Sequence, residues 1–271
     1  MPGDKGLITS VDDRGVARVL INRPTRKNSI DSAANQELID VLGTWADDAS
    51  IRVVVIGAPG QDFCTGADLI EMATAPPPGS ADEARARAER TINAGSDVVR
   101  AVRALQVPVV AVVDGAAVGI GASIAFASDL IYASENAYFL LAFVNIGLMP
   151  DGAATATVAA AVGRARANEL ALLGERLPAA QAFTDGLVTA VLPPETLSAK
   201  VDQVVDKLLA ASPRALTLTK KAIDAQTMTG FDLALKLETE GQTELLQSPE
   251  FAALITAFAR GKKTEPTAAS Q

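Results

Sequence analysis

Two short, wholly apolar runs, each followed by a glycine-containing connection, constrain the fold of this chain more than any other feature. Val53–Gly57 and Val109–Val113 contain no polar side chain, and helical sequence follows each connection. A strand with one face in water alternates between apolar and polar residues, whereas a continuously apolar strand is buried on both faces, as in a parallel sheet with helical crossovers. The sequence therefore predicts an α/β fold.

Other segments fit the same architecture. Residues 6–10 and 16–21 are rich in β-formers and flank an Asp-Asp-Arg-Gly turn, which predicts a hairpin. Asp31 is predicted to cap a helix, and a second helix is predicted over 82–105. A surface loop is predicted at 74–80, where three prolines and a glycine occur together. Further strands are predicted at 130–133, 138–140 and 187–192.

Beyond Pro194 the sequence shows helical periodicity alone. Helices are predicted at 196–211, 213–226, 231–247 and 249–260. We expect a mixed α/β core over 1–195, a helical region over 196–263 that docks on this core or on a neighbouring subunit, and a frayed tail over 264–271.

Composition excludes several chemistries. The 271 residues include no histidine, so a Ser-His-Asp triad and imidazole metal ligands are impossible. A net charge of −8 is unsuited to nucleic acid. The single cysteine cannot form an internal disulfide, and the charged start lacks the apolar segment of a signal peptide. The longest uncharged stretch, 136–150, is too short to span a membrane. We expect a soluble, cytoplasmic protein with no nucleic-acid or membrane partner.

Two glycine-containing connections between strand and helix are candidate ligand sites. They occupy residues 62–69 and 114–123. The second is not a dinucleotide fingerprint, because Ile124 stands where the third glycine would be required. Backbone amides left unpaired at two such connections would form an oxyanion hole if they came together. The alternative for residues 62–69 is an ordinary connection in which Cys64 is a small buried residue.

An ordered set of motifs extends over nearly the whole chain. Its members are Ile21-Asn22-Arg23-Pro24, Asn28-Ser29-Ile30, Phe63-Cys64-Thr65-Gly66-Ala67-Asp68-Leu69, 108–121, 127–133, Ile146-Gly147-Leu148-Met149-Pro150-Asp151-Gly152 and Gly186-Leu187-Val188. This set resembles the crotonase superfamily, the enoyl-CoA hydratase/isomerase family of acyl-CoA enzymes.

The resemblance implies a spiral of ββα units, C-terminal helices that pack across subunits, and a homotrimer or a dimer of trimers. It implies that the backbone amides of Ala67 and Ile120 hold a thioester carbonyl, with no metal and no cofactor beyond the coenzyme A of the substrate. It places Arg26 and Lys27 near the nucleotide end of coenzyme A, although solvated surface charge is an equal alternative. Lys262 and Lys263 are further candidates for the pyrophosphate. Implied substrate-binding positions around the amides are Cys64, Gly66, Asp68, Gly119, Gly121, Ser123 and Phe143.

The sequence departs from the hydratase pattern at two of these positions. Ser123 and Phe143 stand where the two hydratase glutamates would stand. Neither side chain can shuttle a proton near neutral pH, so hydration by the mechanism usual in this family is not expected.

Asp151 is the remaining candidate acid, and it matches the position of the single acid of several isomerases in the family. One carboxylate is sufficient to move a double bond, because it can take a proton from C2 of a 3-enoyl thioester and return it at C4. The alternative is a structural role as N-cap of a helix predicted over 152–162. A cap would lower the aspartate pKa, whereas an apolar acyl pocket would raise it.

The leading hypothesis is therefore an enoyl-CoA isomerase with Asp151, Ala67 and Ile120 as its catalytic groups. Two others stay open: an atypical hydratase in which Asp151 activates water unaided, and a non-catalytic acyl-CoA-binding protein.

Overall fold

Nine strands form two sheets in the computed structural model, which describes residues 6–261. The strands are β1 (Leu7–Val11), β2 (Val16–Ile21), β3 (Val53–Gly57), β4 (Val109–Val113), β5 (Ala116–Val118), β6 (Leu130–Ser134), β7 (Tyr138–Leu140), β8 (Leu177–Pro178) and β9 (Ala190–Leu192). The larger sheet has the order β1-β2-β3-β4-β6-β9, and every pair after the antiparallel β1-β2 hairpin is parallel. The smaller sheet has the order β5-β7-β8.

Ten α-helices surround these sheets within the described residues. They are α1 (Ser32–Asp47), α2 (Leu69–Thr74), α3 (Ala81–Ala104), α4 (Ile120–Phe126), α5 (Ala154–Leu173), α6 (Ala179–Thr184), α7 (Pro194–Ala210), α8 (Pro213–Thr227), α9 (Phe231–Leu245) and α10 (Pro249–Ala259). Short 3₁₀ turns occupy Pro24–Arg26 and Ala142–Ile146. None of the helices within 6–261 combines the length and the apolar character needed to cross a bilayer.

The large sheet is covered on both faces, as its continuously apolar strands predict. Val54 and Ile56 belong to the main core with side chains of α1 and α3, whereas Val53 and Val55 pack in a second cluster with Leu197 and other side chains of α7. Because successive strand residues point to opposite faces, helices on both sides are needed to bury this strand. The α/β prediction is confirmed.

The hairpin and the buried strands lie where the sequence places them, and Asp31 caps α1 through its side chain. Three details differ. The short strands β5 and β8 were not predicted, and the last strand of the large sheet covers 190–192 instead of 187–192. Residues 75–80 connect α2 to α3 and are exposed, as predicted for the proline-rich loop.

The C-terminal helices pack on the core of their own chain. α7 covers the large sheet, α9 lies against α3 and α5, and α10 lies against α2. Helix α7 begins at Pro194, so the predicted boundary between the core and the helical region, at residue 195, falls inside this helix. Lys262, Lys263 and the predicted tail over 264–271 lie outside the described residues.

Candidate active site

The first glycine-containing connection, residues 62–69, pairs with β5 before Gly66 and with Ile30 after it. Cys64 exchanges two backbone hydrogen bonds of 2.9 Å with β5. After Gly66, whose φ is +93°, the chain pairs instead with Ile30: the Ile30 amide donates to the Gly66 carbonyl at 2.8 Å and the Asp68 amide to the Ile30 carbonyl at 2.9 Å. Because neighbouring residues of a paired strand point their amides to opposite sides, the Ala67 amide faces away from Ile30.

The second connection leads from β5 into α4. Gly119 precedes the helix with φ 55° and ψ −129°, and its amide donates to the Leu140 carbonyl at 2.9 Å. Ile120 is the first helical residue, and the amide of Ser123 makes the first hydrogen bond back to Gly119. The amide of Ile120 is thus one of the donors that a helix start leaves without an intrahelical acceptor.

The two connections touch at their glycines. A Cβ on Gly66 would lie 3.0 Å from the Val118 carbonyl oxygen and 3.8 Å from the Gly119 Cα. This approach brings together the backbone segments that carry the amides of Ala67 and Ile120, and neither amide has a hydrogen-bond acceptor among residues 6–261. Two amides without acceptors on neighbouring segments are the kind of donors that could hold a carbonyl oxygen that gains negative charge.

Cys64 lies beneath this site and does not line it. The thiol is fully buried, and a Cβ on Gly121 would lie only 2.7 Å from the Cys64 Cβ and 2.8 Å from its Sγ. Burial raises the pKa of Cys64 to about 12. The prediction that Cys64 binds substrate is therefore wrong for its side chain, which packs α4 against the first connection.

Apolar side chains border the two amides. The Phe143 ring is buried, with its Cζ 3.8 Å from the position of a Cβ on Gly119. The Ile120 Cδ1 lies 3.4 Å from a Cβ position on Gly95 of α3 and 2.6 Å from one on Gly152. These contacts give the neighbourhood of the Ile120 amide an apolar lining, the kind that binds apolar ligand groups.

Asp151 stands next to this apolar group. Its backbone carbonyl accepts a hydrogen bond of 2.8 Å from the hydroxyl of Ser123, which is fully buried. This bond anchors the backbone of Asp151 to α4. The predicted role of Ser123 in binding substrate is thus replaced by a contact within the protein. Asp151 is half-buried as a residue, but its Oδ1 is buried and has no hydrogen-bond partner among the described residues.

The alternative role of Asp151 as a helix cap is wrong. Helix α5 begins at Ala154 rather than at Gly152, and the Asp151 carboxylate makes no capping hydrogen bond. Burial, with a smaller contribution from the negative charge of Glu238, raises the pKa of Asp151 to about 7, and a hydrogen bond from Gln242 opposes this rise. A carboxyl group with such a pKa exchanges its proton readily near neutral pH.

Sequence reasoning missed the residue that does cap α5. Glu238 of α9 accepts hydrogen bonds from the Ala153 amide at 2.7 Å, the Thr155 amide at 3.0 Å and the Thr155 hydroxyl at 2.5 Å. Glu238 is fully buried, and this burial raises its pKa although the three donors act in the opposite direction. A sequence signal existed, because Glu238 interrupts the apolar face of α9 four residues after Ala234.

Asp68 is occupied by contacts within the protein. Its carboxylate caps α2 by accepting from the Ile70 and Glu71 amides, and it pairs with Arg26 at 2.5 Å and with Arg23 at 3.2 Å. Burial opposes ionisation, but the Arg26 hydrogen bond and the other donors outweigh it and lower the pKa of Asp68. The Asp68 carboxylate, which the resemblance assigned to substrate binding, is buried and engaged within the protein instead.

The two predicted coenzyme A contacts lie near the first connection. Arg26 is half-buried against Asp68, and Lys27 is exposed. The Lys27 carbonyl accepts from the Thr65 hydroxyl at 3.0 Å, which joins this turn to the segment that carries Ala67. Over residues 6–261 no three Cys, Asp or Glu side chains are grouped closely enough to hold a metal ion.

Known proteins resemble this chain in sequence and in fold. A sequence model described as enoyl-CoA hydratase/isomerase matches residues 12–266. The chain is 34% identical to the 1,2-epoxyphenylacetyl-CoA isomerase of Escherichia coli, over 93% of this chain and 94% of that protein. It is 31% identical to a short-chain-enoyl-CoA hydratase of Clostridium acetobutylicum, over 92% and 93%. A crystal structure described as an enoyl-CoA hydratase from Mycobacterium avium subsp. paratuberculosis superposes with a TM-score of 0.85 and 45% identity, covering 95% and 96% of the two chains.

Proposed function

Because this chain belongs to the enoyl-CoA hydratase/isomerase family, we propose that it moves a carbon–carbon double bond within an enoyl-CoA thioester. One observation carries the proposal: Oδ1 of Asp151 is buried without a partner among residues 6–261, and the next residue, Gly152, packs against the side chain of Ile120, whose amide, like that of Ala67, has no acceptor there. The relatives include both isomerases and hydratases, so the choice between the two reactions rests on this acid.

The proposed reaction is a proton transfer in two steps. The ionised Asp151 takes a proton from C2 of a 3-enoyl thioester, and the electron pair moves onto the thioester oxygen. The amides of Ala67 and Ile120 donate to that oxygen and stabilise the enolate. The protonated Asp151 then returns the proton at C4, which leaves the double bond between C2 and C3. The reaction is redox-neutral, so coenzyme A enters as part of the substrate and no other cofactor is required.

Two contacts favour this reaction over addition of water. The position of one hydratase glutamate holds Ser123, whose hydroxyl is already bonded to the Asp151 carbonyl, and the position of the other holds the buried ring of Phe143. Hydration needs a carboxylate to orient and deprotonate water while a second group protonates the neighbouring carbon. Asp151 alone supplies one such group.

Three further proposals concern coenzyme A binding, subunit assembly and cellular location. We propose that Lys27, which is exposed, and Arg26, which is half-exposed, meet the phosphates of coenzyme A. Large apolar side chains such as Leu172 and Phe183, which are 69% and 53% exposed, favour a homotrimer or a dimer of trimers in which such groups are covered. We further propose that the protein acts in the cytoplasm.

Substitution of the proposed base tests the function. Asp151→Asn keeps the size of the side chain but cannot take a proton, so we expect turnover of a 3-enoyl-CoA to fall by ~10²–10⁴-fold with little change in thioester binding. The matched control is Asp13→Asn, on the exposed turn between β1 and β2. For the unmodified protein, kcat/KM should rise with pH to a plateau above about 7, because the base acts only when ionised.

Each possible result decides between the hypotheses. Full turnover by Asp151→Asn removes this residue from the mechanism. Loss of the enone absorbance of crotonyl-CoA, with no isomerisation of 3-enoyl substrates, identifies a hydratase instead. Binding of acyl-CoA thioesters without turnover across a panel of chain lengths identifies a non-catalytic binding protein.

A further inference from the structure

Two buried polar side chains of α9 lie one helical turn apart and face the segment that carries Asp151. Glu238 is fully buried and Gln242 is 1% exposed. Their spacing of four residues places them on the same side of the helix. Burial of such groups is unfavourable unless each is bonded, so the contacts of the pair indicate its purpose.

Glu238 fixes the backbone that follows Asp151. Ala153 has a φ of +57° and offers no capping side chain, so the start of α5 depends on a partner from elsewhere. Glu238 supplies this partner through both carboxylate oxygens, one on the Ala153 amide and the other on Thr155. The two backbone amides can only donate, and they reach both carboxylate oxygens, an arrangement that favours the ionised form of Glu238.

Gln242 fixes the side chain of Asp151. Its Nε2 donates to the Met149 carbonyl at 2.6 Å and to Oδ2 of Asp151 at 3.2 Å. Because a carbonyl can only accept, Met149 sets the orientation of the Gln242 amide and makes Nε2 the group that meets Asp151. Oδ2 is thereby kept as an acceptor, and the proton of the neutral acid belongs on the free oxygen Oδ1.

We propose that Glu238 and Gln242 are positioning residues, which hold the segment and the carboxyl group of Asp151 so that Oδ1 is its proton-carrying oxygen. The proposal rests on the proposed function, because it assigns a purpose to the proton on Asp151. The negative charge of Glu238 disfavours a second negative charge close by, whereas the amide of Gln242 favours an ionised Oδ2.

Few other groups bear on Asp151. Within the described residues, Glu238 is the one charged side chain that contributes to the pKa of Asp151. The contact from α4 comes from the uncharged Ser123. On α10, Glu250 lies against Gly147, four residues before the aspartate. The two α9 residues can therefore be tested separately.

The experiment measures the titration of Asp151 directly. Protein labelled with ¹³C at the aspartate carboxyl carbons is titrated by NMR, and Asp151→Asn identifies the resonance. Glu238→Gln should move the midpoint to lower pH by about 1 pH unit, and Gln242→Met should move it to higher pH. The control is Glu240→Gln, the same substitution on an exposed position of α9, which should leave the midpoint unchanged. The pH at which kcat/KM falls on the acid side should move together with the Asp151 midpoint in each variant.

The two variants give independent results. A purely structural role predicts unchanged midpoints, or shifts in the same direction, and either result overturns the proposal. If Glu238→Gln does not fold, the direction of the shift in Gln242→Met decides. The titration needs no substrate, so the two proposals can fail separately. If the Asp151 midpoints shift as expected but the protein does not isomerise enoyl-CoA, only the proposed function is refuted. If the protein is an active isomerase but the Asp151 midpoints do not move, only the positioning role of Glu238 and Gln242 is refuted.

Discussion

The contact between Gly121 and Cys64 yields a quantitative prediction for Gly121→Ala. A Cβ at residue 121 would lie 2.7 Å from the Cys64 Cβ, 2.8 Å from its Sγ and closer still to its carbonyl oxygen. Ordinary van der Waals contact begins at 3.4 Å, so the contact with the Cys64 Cβ alone requires α4 and the first connection to separate by about 0.7 Å, and the contact with the carbonyl oxygen requires more. The backbone carbonyl of Cys64 cannot rotate away, because its segment is paired with β5.

This separation affects stability and activity. Overpacking in a close-packed interior costs about 1–3 kcal/mol, which outweighs the ~1 kcal/mol that alanine gains over glycine in a helix. The same movement parts the amides of Ala67 and Ile120. Misplacement on the scale of 1 Å costs up to about 100-fold in rate, so we expect kcat/KM to fall by ~10–100-fold.

Gly43→Ala provides the control. Gly43 is an exposed residue of α1, and nothing lies within 4 Å of its Cβ position. The same substitution should therefore stabilise the protein by about 0.5–1 kcal/mol and leave kcat/KM unchanged. Urea unfolding and enoyl-CoA kinetics on both variants check this. A Gly121→Ala protein with native unfolding midpoint and native kcat/KM would refute the account of the two connections.

Two further predictions concern buried titratable groups. Because the pKa of Asp151 is raised to about 7 in the folded protein, its contribution to stability is complete below about pH 4 and is lost as pH rises through 7. Asp151→Asn should therefore exceed the unmodified protein in stability by ~1–4 kcal/mol at pH 8 and much less at pH 5, as measured by urea unfolding. The single thiol, Cys64, should resist a disulfide reagent in the folded protein and react only in denaturant, since it is buried with a pKa of about 12. Rapid labelling under native conditions would contradict this.

Much of the fold is predictable from local sequence, and the exceptions have physical causes. The buried strands β3 and β4 were predicted because continuous apolar runs end at clear turn signals. The strand β5, three small residues long, is formed by its pairing with Cys64 and β7, which no local pattern shows. The start of α5 is displaced to Ala154 because Gly152 and Ala153 both have positive φ.

Parts of the candidate site were also predictable from local sequence, whereas contacts between distant segments were not. The two connections and Asp151 lie in motifs that can be read from adjacent residues. The pairing of Ser123 with the Asp151 carbonyl and the capping by Glu238 join elements far apart in sequence. Glu238 is visible only as a charged residue on an apolar helix face, a signal that does not reveal its partner.

The dependence of α5 on Glu238 has a consequence for the order in which the protein is made. The amide of Ala153 donates to the carboxylate of Glu238, which is 85 positions further along the chain and is therefore synthesised later. During synthesis both glycine-containing connections and the contact of Ser123 with Asp151 can form while α9 is still on the ribosome, but the Asp151 side chain gains its hydrogen bond only after Gln242 has emerged. A chain that terminates early would therefore expose a partly formed acyl pocket, and the cell's chaperones and proteases would encounter its apolar surface before any chemistry could begin.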